Sequence, residues 1–379
     1  MSDKLNLEIP QPKFDSELVE LIIQLETLRK QGITINIYPP LFVQIKEIFH
    51  MIESIQSARI EGNRTTISDY VSSKFEPAPK TDSIREIQNI EIAINYVNKC
   101  FDESLDFKIS NKFIKELHQL TTKDLKDEGS KESGSYRSCN VRINKSLHVP
   151  PNPTAVHGFM QKLIDWINTE DKLQTQLLKV AIAHHAFTWI HPFDNGNGRM
   201  ARIFTYAMLR QYGFKMIYLM NTSAMFCMDR NKYFSMLQQA DIGGNNAMLD
   251  WCEYVLKGLN TELQKISILM DRKFFIEKIV QPSINRAFEL HYISQEQKKI
   301  MELSLYKEGS LIKSKDIQEI LKNKTSRQIN HLLSKMLNSG LLIKTDPKSR
   351  MYFINLINKD LIRGIIDSLY KEKLIIDGD

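Results

Sequence analysis

Cysteine is scarce here: Cys100, Cys139, Cys227 and Cys252 are the only four in 379 residues, and no C-x-x-C pair occurs. This spacing offers no zinc or dithiol signature, so four free thiols in a reducing compartment are expected. No apolar run approaches the roughly 18 residues needed to cross a bilayer. The N-terminus, MSDKLNLEIPQPKFD, also lacks the charged-then-apolar pattern of a secretory signal. A cytoplasmic location away from membranes is expected. Strand-like alternation, internal repeats and low-complexity tracts are scarce or missing too, which leaves a mostly helical chain long enough for two or three domains.

Excess charge of one sign is missing from most of the chain. Lys plus Arg is 51 against 45 Asp plus Glu, a net of +6. Residues 311–350 alone hold nine basic and three acidic side chains, 9 − 3 = +6, so the remainder sums to zero. The excess is a local property of the C-terminal region.

Apolar residues recur at helical spacing. In residues 41–61, Phe42, Ile45, Phe49 and Ile52 step round one helix face, and Gly62 is a stop signal. Residues 75–82, with two prolines, read as a linker, after which Asp82 or Ser83 caps a helix to about Cys100. Further helices fit 111–122, 155–169, 175–190 (apolar on most faces, hence central) and 199–212. Between Gly134 and Pro153 the pattern changes to Val141-Arg142-Ile143, flanked by turn residues, which predicts a β-hairpin on the helical body. Helices at 294–306, 314–321 and 326–338, followed by two apolar strands around the polar turn Thr345–Arg350, resemble a winged helix-turn-helix. The expected division is 1–80, 81–275 and 285–379.

The chemistry concentrates in His191-Pro-Phe-Asp-Asn-Gly-Asn-Gly-Arg-Met-Ala-Arg202. Gly196 and Gly198 let backbone approach a ligand, and the first amides of the following helix have no internal partners, which makes an anion nest. Arg199 and Arg202, three apart, share a helix side and suit a polyphosphate. An imidazole at His191 titrates near neutrality and suits removal of a hydroxyl proton. Together these residues predict phosphoryl-type chemistry.

This string resembles the Fic signature HPFx[D/E]GNGRxxR, matched at His191, Pro192, Phe193, Gly196, Asn197, Gly198, Arg199 and Arg202, with likeness over roughly residues 85–260. The resemblance implies a Fic-type helical bundle with a β-hairpin flap. It implies AMP transfer from Mg-ATP to a Tyr, Thr or Ser hydroxyl of a protein, with His191 as base. Asn197, the Gly196 and Gly198 amides, Arg199 and Arg202 would hold the phosphates. Gly134 to Asn144 would be the flap along which a target segment adds a strand, with Val141, Arg142, Ile143 and Asn144 over the nucleotide. Tyr233 matches the adenine-side tyrosine, and Asp241 falls where some relatives have Asn. The family's Mg2+-holding acid is replaced by Asn195, so Asn195 or the preceding Asp194 would be the metal ligand.

Ser57-Ala-Arg-Ile-Glu61-Gly62 resembles the family's inhibitory helix, S/T-x-x-x-E-G/N. In that pattern Glu61 pairs with Arg202 and holds the enzyme silent. A carboxylate in the last turn of a helix is itself unfavourable and calls for a compensating cation. His184 and His185 lack the H-E-x-x-H spacing and are read as core residues. Alternatives stay open: a nucleotide-sensing DNA-binding regulator, or removal of AMP at the same site. The C-terminal module suits DNA or a protein partner, and a homodimer is a further option.

Overall fold

The computed structural model describes residues 5–31, 35–75, 81–104, 106–143, 146–170 and 172–376. Helices dominate. In chain order they begin with α1 (Glu17–Gln31), α2 (Pro39–Ile60), α3 (Ile67–Phe75), α4 (Asp82–Glu103) and α5 (Asn111–Thr121). Next come α6 (Pro153–Ile167), α7 (Leu173–Ile190), α8 (Asn197–Gln211), α9 (Ala224–Met228), α10 (Arg230–Ile242) and α11 (Gly244–Leu269). A helical run continues through α12 (Arg272–Phe274), a π-helical stretch Phe275–Val280 and α13 (Gln281–Glu289).

The expected central helix is α7. Leu177, Val180, Ala181, Ile182, Ala183 and Phe187 are fully buried, against α6, α8 and α11. A helix apolar on most faces has to be surrounded, and α7 is. Helix α2 is the second buried axis, with fifteen of its 22 residues buried, packed on α4 and α9. Ser110 caps α5 by accepting from the Phe113 amide at 3.2 Å. The predicted cap of α4 is displaced: Thr81 accepts from Ile84 N at 3.3 Å, because the Asp82 carboxylate instead takes Lys126 N at 2.7 Å. Residues 76–80 of the expected linker lie outside the described residues.

The C-terminal elements are α14 (Gln295–Tyr306), α15 (Ser314–Ile320), α16 (Ser326–Asn338), β1 (Leu342–Lys344), β2 (Tyr352–Ile354) and α17 (Ile362–Lys371). The strands pair antiparallel with Leu342 opposite Ile354, and Ile312 bridges to Tyr352. These three helices and two strands match the expected ranges within two residues.

Helix α2 ties this region to the rest. The buried Gln44 amide donates to Ile354 O at 3.0 Å and its oxygen accepts from Leu356 N at 2.6 Å. Twelve residues on, Gln56 donates to Ile376 O at 3.0 Å. Gln44 thus completes the backbone pairing at the end of the β1–β2 ribbon opposite its turn.

One expectation fails. No strand forms between Gly134 and Pro153 among the described residues, and Asn144 lies outside them. The chain is held by a side chain instead of a ladder. The buried Arg137 guanidinium donates to His191 O, Cys139 O and Pro151 O at 2.8, 3.0 and 2.6 Å. Its own amide donates to Pro192 O at 2.9 Å. These bonds fix the segment to the loop before α8 and leave Val141–Ile143 without a strand partner. The one two-stranded sheet among the described residues is β1–β2. No described helix is long and apolar enough to cross a membrane, and all four cysteines are free thiols.

Candidate active site

The site lies where the end of α7, the loop 191–196 and the start of α8 meet the last turn of α2. His191 closes α7 in a left-handed conformation, φ 50°, which re-aims the chain into Pro192 and Phe193. Gly196, φ 76°, starts α8; a Cβ there would meet Thr122 Cγ2 at 3.2 Å. The loop is stapled by Asn197, whose side chain accepts from Phe193 N at 2.9 Å and donates to Phe193 O at 2.8 Å. Asn197 thus fixes the loop backbone, with one Nδ2 hydrogen beyond these two bonds.

His191 is partly buried, and burial pushes its pKa down to about 4. At neutral pH the ring is uncharged. With Nδ1 3.3 Å from Thr188 O, the N–H belongs on Nδ1, which leaves the Nε2 lone pair able to accept a proton.

Both motif arginines are fully buried, and each has found carboxylates. Arg202 Nη2 lies 2.8 Å from Glu61 Oε1. Its Nε and Nη2 also donate to Ser57 Oγ and Ser57 O, each at 2.9 Å. Burial pushes the Glu61 carboxyl up. The Arg202 guanidinium outweighs that, with Arg199 and Arg230 farther off, and holds it below the ordinary carboxylate range. The compensating cation that a carboxylate at the end of α2 requires is thus Arg202. Glu61 also sits over the start of α8: a Cβ on Gly198 would lie 2.1 Å from Glu61 Oε1. Only glycine admits that approach. A carboxylate of the chain itself thus lies beside the first turn of α8.

Arg199 Nη1 lies 3.0 Å from Glu86 Oε1, and Nη2 donates to Glu128 O at 2.8 Å. Glu86, buried on α4, also accepts from Asn63 Nδ2 at 2.7 Å, directly after the Ser57–Gly62 segment. Burial raises the Glu86 pKa, opposed by Arg199. Sequence reasoning missed Glu86 and Glu128, which carry no local signal.

It also missed His118. This buried imidazole accepts from Gly134 N at Nδ1, 3.0 Å, so its Nε2 donates to Asn195 O at 3.1 Å. It stacks on Phe193 at 3.6 Å and 5°, and burial lowers its pKa to about 4. His118 thereby joins the start of the 134–143 segment to the motif loop.

Both expected metal ligands also hold the loop through hydrogen bonds. Asp194 accepts from Ser130 Oγ, from Lys131 N at 2.9 Å and from Asn195 N at 3.0 Å. Asn195 Oδ1 accepts from Gly196 N at 2.7 Å, and its amide donates to Gly129 O at 3.1 Å. Asp194, a carboxylate with an acceptor position to spare, would be the residue to hold a Mg2+ together with substrate phosphates.

Tyr233 is buried, its hydroxyl 2.9 Å from His184 Nε2, within a cluster of Phe226, Trp251 and His184. His184 also bonds Thr205 Oγ1 at 2.8 Å, a core role as read from the sequence. Asp241 pairs with His185 at 2.9 Å. Val141 and Ile143 are half-buried and Arg142 is exposed.

A helical body with this loop before α8 is the Fic fold. Residues 108–209 match the model of the Fic/DOC family. The chain is 30% identical over 209 residues to "Protein adenylyltransferase Fic" of Nematostella vectensis, covering 54% of this chain and 46% of that protein. The protein of the same name from Drosophila willistoni is 29% identical over 192 residues, covering 49% of this chain and 36% of that protein. The chain thus spans less than half the length of these curated relatives. A Fic family protein from Desulfovibrio desulfuricans G20 superposes with a TM-score of 0.57 at 19% identity, over 91% of this chain and 98% of that one. Fic-1 from C. elegans, residues 134–508, gives 0.52 at 19% identity, over 65% and 71%. At these identities the two structures speak for the fold.

Proposed function

We propose that this chain is a protein adenylyltransferase whose own Glu61 holds it silent. The carrying observation is the double placement of that carboxylate, 2.8 Å from Arg202 Nη2 and against Gly198 at the start of α8. An anion site with a buried guanidinium is built for phosphate, and here a side chain fills it.

With Glu61 displaced, Arg202 and the α8 amides would take the distal phosphates of ATP, and Arg199 would support the chain from the Glu86 side. A target hydroxyl oxygen would attack the α-phosphorus, its proton passing to His191 Nε2, with pyrophosphate leaving. Val141–Ile143, which has no strand partner among the described residues, is the segment on which an extended target peptide would pair. The relatives' name, protein adenylyltransferase, supports an adenylyl group and a protein as donor and acceptor. The neutral His191 ring supports catalysis over nucleotide sensing, which needs no base.

The test is label transfer from α-³²P-ATP to the protein itself and to a cell lysate. Glu61→Gly should label strongly where the unaltered chain does not, and adding His191→Ala should abolish transfer. Equal labelling by the unaltered and Glu61→Gly proteins would remove the brake. Labelling that survives His191→Ala would remove His191 as base.

A further inference from the structure

The C-terminal module carries a helix face that the Fic chemistry does not use. Helix α16 is anchored at its start by a reciprocal cap, with Thr325 Oγ accepting from Gln328 N at 3.3 Å and Gln328 Oε1 accepting from Thr325 N at 2.8 Å. One face packs inward through Ile329, Leu333 and Met336. The opposite face exposes Arg327, Asn330, His331, Ser334, Lys335 and Asn338, at the i, i+3, i+4, i+7 spacing of a single helical stripe. The thirteen residues of α16 contain no Asp or Glu.

The basic residues here are not spoken for. Lys324 is paired, to Glu296 at 2.8 Å. Arg327, Lys335, Lys348 and Arg350 make no ion pair among the described residues. Lys348 and Arg350 are exposed on the β1–β2 turn, the end of the ribbon away from its Gln44 tether. A merely solvated face normally mixes both signs of charge. The α16 stripe presents cations and short hydrogen-bonding side chains only, and the turn sets exposed Lys344, Lys348 and Arg350 against the single acid Asp346.

We infer that this face binds duplex DNA, with α16 in the major groove and the β1–β2 turn on the flanking backbone. A B-form major groove, about 12 Å wide, admits a helix, and Asn, Ser and Arg are groups that read base edges there. A-form RNA closes that groove to side chains. Lys335 lies at one edge of the stripe and Arg327 at its N-terminal end, each within reach of phosphates, and the turn lysine and arginine supply two more backbone contacts.

The experiment uses the full chain and a fluorescent 20-base-pair duplex of mixed sequence, with anisotropy read from 50 to 200 mM salt. Four neutralised phosphates give a slope of log affinity on log salt of roughly −3.6, about 100-fold weakening across that range. Arg327→Ala/Lys335→Ala and Lys348→Ala/Arg350→Ala should each flatten the slope by about 2. All four side chains are exposed, and unchanged thermal midpoints confirm folding; if one pair fails to fold, the other still tests the slope. No binding at 100 μM protein in 50 mM salt overturns the inference, as does a slope indifferent to both pairs. Tighter binding of an RNA stem than of DNA rejects the groove reading. Equal binding of a polyglutamate peptide of matched charge places an acidic protein on this face instead.

Discussion

Replacing Glu61 with glycine should weaken the empty protein and strengthen its grip on ATP, two effects of opposite sign from one side chain. Without Glu61, the fully buried Arg202 keeps its bonds to Ser57, the Tyr233 hydroxyl and the more distant Glu53 carboxyl. Stripping one partner from a buried ion pair costs about 3–5 kcal/mol. The Glu61 side chain is 29% exposed, so water already screens part of the pair, and Ser57 retains two guanidinium hydrogens. About 2 kcal/mol is then the reasonable loss, a fall of roughly 2.5 °C in the unfolding midpoint of a chain this long. ATP supplies the missing anion. A charge-assisted bond to Arg202 is worth about 1.5–3 kcal/mol, or roughly 10- to 150-fold in affinity. Calorimetric titration of ATP and thermal unfolding with and without 1 mM ATP read both signs, and the nucleotide should erase the destabilisation. An unchanged ATP affinity in the variant would refute the competition between Glu61 and phosphate, whatever happened to the midpoint.

Four further outcomes are expected. His118→Ala should cut label transfer in the Glu61→Gly background about 100-fold through misplacement of the motif loop, with ATP affinity changed less than tenfold; equal transfer would deny the positioning role. Glu86→Gln should lower stability by about 3 kcal/mol in urea denaturation, since Arg199 is left with Glu128, whose side chain is 48% exposed; an unaltered midpoint would mean the pair contributes nothing. Gln44→Ala should cost about 2 kcal/mol and speed hydrogen exchange at the Leu356 amide, and slow exchange there would contradict the tether. Burial holds His50, His118 and His191 near pKa 4 and His184 near 3. The unfolded chain, with ordinary histidines at 6.5, binds more protons below that pH. Stability should therefore be full above pH 6.5 and fall as pH drops toward 4; a urea midpoint flat from pH 7 to 4.5 would show these rings are not buried neutral.

What could be read in advance was whatever lies close together in sequence. The His191–Arg202 loop, the central helix α7 and the last turn of α2 each announce themselves within a dozen residues. Even the Glu61–Arg202 pair had a local trace, a carboxylate at the wrong end of a helix. The partners of Arg199 had none: Glu86 and Glu128 reach it from 113 and 71 positions away, and an acid on an amphipathic helix looks solvated until the fold buries it. His118 was similarly silent. The Val141–Ile143 alternation misled because a period of two marks extended chain, not a paired ladder, and Arg137 does the holding there. That Asn197 also staples the loop to Phe193 had no local signal. Helix α3 was overlooked although Thr66 and Asp69 form a recognisable start, Thr66 Oγ accepting from Asp69 N at 3.1 Å.

Helix α2 holds the ribbon at Gln44 and the final residues at Gln56, and reaches Arg202 through Ser57 and Glu61. At 1.5 Å per residue its 22 residues make a strut of about 33 Å. One strut touching two sites imposes reciprocity between them. If a ligand on the C-terminal module tightens ATP binding tenfold by moving α2, ATP must tighten that ligand tenfold, and about 1.4 kcal/mol is the coupling between them. The two binding experiments, run each in the presence of the other ligand, must return the same factor.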